Sequence, residues 1–409
     1  MTGGKLARRL GPFDATAIGL GSMLGAGVFA VFAPAAAAAG AGLLIALALA
    51  GFVAYCNAAA SAQLAAAHPE SGGTYVYGCL RLGPWWGFTA GWGFVVGKTA
   101  SCAAMAMTFA GYAVPGYEKP AAVLAVLLLA AVNYRGVTRT ALLTRILLSV
   151  VLLVLATVIA LSIMDASADR LTGDWFGRGP LGVLQAAGLL FFAFAGYARI
   201  ATMGEEVRDP RRTIPRAIIG ALAGALVIYL LVGAALLLVL GPDRLAASTV
   251  PLADALGAAG HPNLTVVARI GAAAASLGAL LALIAGVGRT MLAMARNRDL
   301  PHWLSAVHPR FSVPHRAELA LAVVVCGLVL VADLRHAIGF SSFGVLVYYA
   351  IANASAFTQP EEARRWPRWL NLVGFLACLL LAAALPIVSV LIGLAVFAIG
   401  LGGRALIRR

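Results

Sequence analysis

Ala17-Ile18-Gly19-Leu20-Gly21-Ser22-Met23-Leu24-Gly25-Ala26-Gly27-Val28-Phe29 sets four glycines within nine positions of an otherwise apolar stretch. The run that contains it, roughly 14–38, is long enough to cross a bilayer, which takes about 20 residues at a rise of 1.5 Å each. Glycine costs about 1 kcal/mol relative to Ala inside a helix, so several together make local unwinding cheap. Unwound backbone at membrane depth exposes N–H and C=O groups, which is tolerable only around a ligand or a water-filled cavity. A second interruption lies in the sixth apolar run, at Phe191-Phe192-Ala193-Phe194-Ala195-Gly196-Tyr197-Ala198-Arg199. Close packing of small residues is the other use of such glycines. Two interrupted runs, the first and the sixth, favour broken helices.

Outward from these stretches the chain reads as membrane protein throughout. It is 62% hydrophobic and 11% charged, whereas soluble domains carry about 25% charged residues. A chain so poor in charge cannot cover a water-facing surface, so most of that surface faces lipid. Apolar runs fall at about 14–38, 42–67, 84–112, 120–134, 141–164, 180–204, 215–240, 262–295, 318–332, 336–357, 370–385 and 386–403. That is an all-α polytopic chain of about 12 transmembrane helices. The fourth, ninth and eleventh runs are short, and Pro386 alone marks the last boundary. The net charge is +14, but Lys and Arg sit in the gaps between runs, 21 on the side of the two termini and 6 on the other. The positive-inside rule then places both termini in the cytoplasm, in a multi-pass cell membrane protein. The same distribution argues against a nucleic-acid partner. Met1–Leu10 is basic, yet a full-length span follows it, so no cleavable leader is expected.

Chemistry-bearing residues are few. Cys56, Cys79, Cys102, Cys326 and Cys378 have neither metal nor redox spacing, so neither metal nor cofactor is expected. The six histidines lie in loops or at span ends, and no span carries a central Asp or Glu, which argues against an intramembrane enzyme. Lys98, in the third span, costs several kcal/mol at mid-membrane unless it is paired or lines water. It either snorkels to the interface or faces a central cavity as a coupling or charge-selecting residue. Arg199 and Arg289, near the cytoplasmic ends of the sixth and eighth spans, suit an inner gate with Glu205 and Glu206. Tyr348, Tyr349 and Asn353 suit either a cavity wall or interhelical hydrogen bonds. At a helix break, half-helix N-termini attract carboxylates and C-termini attract ammonium groups, which a zwitterionic amino acid satisfies together.

Four segments carry a resemblance to one family. They are Gly25-Ala26-Gly27-Val28-Phe29; His68-Pro69-Glu70-Ser71-Gly72-Gly73-Thr74-Tyr75; Phe191–Gly196 with Gly204-Glu205-Glu206-Val207-Arg208-Asp209-Pro210; and Ala295-Arg296-Asn297-Arg298-Asp299-Leu300-Pro301. In this order the chain resembles the amino acid–polyamine–organocation (APC) transporters across nearly its whole length. The resemblance implies a LeuT-like fold of five-plus-five inverted repeats, about 14–164 and 180–357, with extra helices at 370–403, in one transmembrane domain over 1–409. It implies alternating access and an amino-acid substrate. The substrate carboxylate would meet backbone N–H groups of Met23, Leu24, Gly25, Ala26 and Gly27. Its ammonium would meet carbonyls from Phe191 to Gly196, with Phe192 and Phe194 lining the site beside Ala195. Departures are notable. Ala26 stands where Ser is common, Val151 stands where sodium-independent relatives place a Lys, and Ser276 alone offers a hydroxyl near the middle of the eighth span. Coupling therefore falls to Lys98 or Ser276, by proton or by exchange rather than by sodium. A neutral amino acid is the first choice of substrate and an acidic one the second.

Overall fold

The computed structural model describes residues 11–68, 72–136, 141–164, 179–197, 200 and 207–407. The first apolar run is not one helix. α1 (Pro12–Met23) stops, and the chain resumes as α2 (Gly27–Ala30) and α3 (Phe32–Ala39). Gly40 then adopts a positive φ of 60°, and α4 (Leu43–Ala67) returns through the bundle. α5 (Thr74–Arg81) is a short helix before α6 (Pro84–Ala113), α7 (Glu118–Tyr134) and α8 (Ala141–Met164). The sixth run forms α9 (Gly179–Phe194), which tightens into a 3-10 turn at Ala195–Tyr197. α10 (Pro210–Ala247) carries a non-helical Gly241, and the short α11 (Pro251–Ala258) leads to α12 (Thr265–Arg296). α13 (His315–Val331), α14 (Leu334–Phe357), α15 (Arg368–Ala384) and α16 (Ile387–Ile407) complete the described chain.

This is the all-helical membrane architecture that the composition required. Among the described residues nine segments are long and apolar enough to cross a membrane. The three short runs appear as α7, α13 and α15, each of 17 residues and about 25 Å long at the helical rise. Helix ends follow ordinary chemistry. Pro84 and Pro251 open their helices where a missing N–H costs nothing. Asp333 caps α14 by accepting from the His336 amide at 2.7 Å. The structure adds two eight-residue helices, α5 and α11, that periodicity did not reveal.

Position in the bundle follows composition. α16 and α8 turn Leu394, Ile399 and Leu153 outward, where lipid replaces water as the solvent of an apolar side chain. α6 and α14 lie at the centre and are buried over most of their length. Helices in lipid gain nothing from the hydrophobic effect against one another, so close packing decides which of them pair. α6 and α14 pair through glycine. A Cβ at Gly344 would lie 2.8 Å from the Gly93 carbonyl oxygen and 2.9 Å from the Gly97 Cα. At that crossing the hydroxyls of Ser101 and Ser341 share a hydrogen bond of 2.6 Å. The crossing fixes the rotation of α6 and directs Lys98 inward. Gly344→Leu should separate the two helices and cost at least the ~1–3 kcal/mol typical of overpacking. Thermal unfolding of the purified protein in detergent would show the loss, and an unchanged midpoint would refute the crossing.

Candidate ligand site at the paired helix breaks

α1 ends at Met23, where the Leu24 amide still reaches the Leu20 carbonyl at 2.8 Å. Leu24, Gly25 and Ala26 leave the helix, and α2 begins at Gly27. The four glycines of this stretch divide their work. Gly19 lies within α1, where a Cβ would collide with Ile200 and press on Ala221, so it serves packing. Gly25 and Gly27 frame the break. A Cβ on Gly25 would meet Ala279 at 2.9 Å, and one on Gly27 would meet the Ala193 Cα at 2.8 Å.

The second break rests against the first. A Cβ on Gly196 would lie 2.7 Å from the Met23 amide nitrogen and closer still to the Ser22 carbonyl. The two interruptions thus touch backbone to backbone, which only glycine permits at both contacts. Tyr229 of α10 ties them together. Its hydroxyl lies 2.6 Å from the Met23 carbonyl oxygen and 3.0 Å from that of Ala193, and its ring packs edge-on to Phe194 at 5.0 Å. One phenolic proton serves two carbonyls that the breaks deprive of helical partners.

Lys98 is 7% exposed, and its ammonium donates to the Ala195 carbonyl at 3.3 Å. The interface alternative is thereby removed, since the side chain points into the second break. The break amides of Gly25, Ala26 and Gly27 find no acceptor among the described residues. Phe191 meets Tyr349 edge-on at 5.7 Å, and Tyr197 meets the same ring at 5.2 Å. Phe192 is nearly buried. Ser276 on α12 is fully buried, and its hydroxyl has no hydrogen-bond partner among the described residues.

The other sequence candidates separate. Asn353 donates to the Asn57 side chain at 2.6 Å, and the Cys378 thiol donates to the same oxygen at 3.2 Å, so this trio is interhelical glue. Tyr348 accepts from the Thr74 amide at 3.1 Å. Arg199, Glu205 and Glu206 lie outside the described residues. Arg289 is exposed, and the acid its charge reaches is Glu318, a residue that sequence reasoning passed over. Tyr229 was also missed, although a lone tyrosine in an otherwise aliphatic span was its visible signal.

A third cluster holds the end of the bundle where α16 finishes. Arg404 of α16 pairs with Asp299 at 2.9 Å with both side chains buried, and it donates to the Pro84 carbonyl at 2.6 Å. Its guanidinium also lies over Trp85 and Phe88, at 4.7 Å and 4.8 Å from the ring centres. Asp299 further accepts from Tyr75 at 2.8 Å, which accepts from Asn297 at 2.9 Å. Two of the family-like segments, around Tyr75 and around Asp299, thus meet at one carboxylate.

A broken membrane helix that meets the tightened end of a second inside the bundle is a recurrent feature of membrane transporters. The chain belongs to the amino acid permease family of APC transporters, whose profile matches residues 10–401. It is 58% identical to an uncharacterized transporter of Mycobacterium tuberculosis (strain H37Rv), over 99% of this chain and 93% of that protein. It is 26% identical to a branched-chain amino acid permease of Bacillus subtilis, over 85% of this chain and 80% of that one. It is 27% identical to the chloroplastic cationic amino acid transporter 6 of Arabidopsis thaliana, over 90% and 69%. Family and relatives are transporters and not enzymes.

Two consequences follow for variants. Tyr229→Phe keeps the ring and leaves two buried carbonyls without a donor, which costs about 1–3 kcal/mol. Its unfolding midpoint should fall while expression persists, and an unaltered midpoint would remove the bridge from the account. Arg404→Ala strands a buried carboxylate and should cost about 3–5 kcal/mol. Adding Asp299→Asn should recover part of that loss, and strict additivity in the double-mutant cycle would show that the two charges do not interact.

Proposed function

We propose that this chain is a secondary active amino acid permease of the cell membrane, with both termini cytoplasmic, working by alternating access around the paired breaks. The observation that carries the reading is the backbone contact of Gly196 with Ser22 and Met23 and of Gly27 with Ala193, bridged by Tyr229. Helix ends facing each other inside lipid are tolerable where they line a binding cavity. The open amides of Gly25–Gly27 beside the carbonyl end of α9 suit a zwitterion. The positions of α5 and α11, after the second and seventh runs, support inverted repeats over about 14–164 and 180–357, with helices 370–403 outside them.

A neutral amino acid is the preferred substrate. The names of the relatives cover both branched-chain and cationic amino acids, so they do not decide the matter. Lys98 at the second break supports the neutral choice over a cationic one, because its charge repels a cationic side chain, and the lining from Phe191 to Ala195 is apolar. The same lysine gives a second reading, an acidic amino acid whose side-chain carboxylate pairs with it. Ser276 alone is a poor sodium ligand set, so coupling is to protons or to exchange.

Counterflow in proteoliposomes tests this. Leucine or alanine inside should drive labelled leucine inward with choline replacing sodium, and arginine should not compete. Strong arginine competition would overturn the substrate assignment. Flux that never shows counterflow or accumulation would replace the permease with a passive pathway.

A further inference from the structure

Arg216 and Arg365 line one open cleft of about 700 Å³, together with Pro215, Ile219 and Trp366. The cleft lies between the first turns of α10 and the segment that leads into α15. It is on the Arg-rich side of the chain, the side that holds 21 of the Lys and Arg residues. Its apolar wall is fixed. Pro215 is buried in α10, and Trp366 packs against Cys56, Ala59 and Leu370. Both arginines are exposed, and none of the five lining residues is acidic.

Two like charges in one cleft repel unless an anion sits between them. The protein does not supply that anion. Neither Arg216 nor Arg365 takes part in an ion pair among the described residues. The nearby acids are engaged elsewhere, Asp209 with Arg212 at 3.8 Å and Glu361 with Arg364 at 3.3 Å. Glu362 is exposed on the same turn as Glu361 and does not line the cleft. Adjacent arginines divide their work here. Arg364 donates to the Gln359 carbonyl at 3.0 Å, whereas Arg365 lines the cleft. Arg368 is also drawn away, lying over the Phe357 ring at 5.8 Å from its centre.

The chemistry of the lining names the occupant. A guanidinium is a planar fork that matches the oxygens of a phosphate and keeps its charge at any physiological pH. Tryptophan marks the headgroup level of a bilayer, and beyond Trp366 the start of α15 turns Trp369 and Leu372 outward. Basic pockets between membrane helices at this level suit anionic headgroups. We infer that the cleft holds the phosphate of an anionic lipid headgroup, with Arg216 and Arg365 as its ligands and Pro215, Ile219 and Trp366 against its apolar part. A soluble anion would match the charge and leave that apolar wall uncovered. Bound there, the lipid bridges α10, which carries Tyr229, to the segment between α14 and α15. The inference needs the membrane setting alone and holds whichever solute is carried.

Thermal unfolding of the delipidated full-length protein in mild detergent tests this, with dioleoyl phosphatidylglycerol, dioleoyl phosphatidylcholine or inorganic phosphate added. Phosphatidylglycerol should raise the midpoint by about 3 °C or more above phosphatidylcholine. Inorganic phosphate should leave it where it was. Arg216→Gln combined with Arg365→Gln should erase the difference between the two lipids. Arg316→Gln, which removes an exposed arginine of α13, should keep it. Equal midpoints in the two lipids for the wild type, or an undiminished difference in the double variant, would overturn the inference. Loss of the difference in Arg316→Gln would do the same, since general attraction between a basic face and anionic lipid would then account for it. A matching shift from inorganic phosphate would put a soluble anion in place of the lipid and also overturn it. Should the double variant not fold, Arg365→Gln alone decides, because Arg365 lies outside the helices. A diminished lipid difference there supports the site, and a full one refutes it.

Discussion

Backbone polar groups inside a membrane must find partners within the protein, and everything distinctive about this chain follows from breaking that rule twice in one place. Each break frees N–H and C=O groups that a continuous helix would have paired. Placing the breaks backbone to backbone lets a few side chains serve both. Tyr229 reaches a carbonyl from each broken helix, and Lys98 takes a third. The amides of Gly25, Ala26 and Gly27 are left without an acceptor among the described residues.

That arrangement depends on a third helix, α6, which carries Lys98. α6 crosses α14 at glycines so close that any larger residue would part them. The crossing turns Lys98 toward the second break and Ser101 toward Ser341. At one end α6 begins under Arg404, which ties the start of α6 to Asp299 and the last helix. The central lysine is therefore held by contacts spread along a 30-residue helix, and the buried ion pair holds register at a level where lipid-facing surfaces offer no preference.

Much of this was legible in the sequence. Hydropathy and the placement of charge specified an all-helical membrane chain, because both follow from the solvent rather than from the contacts. The glycine clusters marked two interrupted spans, and the structure breaks α1 and tightens α9 at those places. The sequence did not say which glycines unwind and which pack. Gly19 and Gly27 look alike in the chain, yet one faces Ile200 within a helix and the other faces Ala193 at a break. The short helices α5 and α11 were hidden because eight residues are too few for a periodic signal.

Side-chain partnership is where linear reading stopped. The sequence by itself determined the solvent, the helical class, the family and the positions of the breaks, since these rest on local composition and backbone propensity. Only the tertiary structure decided that Lys98 points at the Ala195 carbonyl rather than at the interface, that Tyr229 bridges the breaks, and that Asn353 is glue rather than lining. Each of these depends on the rotation of one helix against another, which is set by packing among residues up to about three hundred positions apart and leaves no trace in the spacing along a single span.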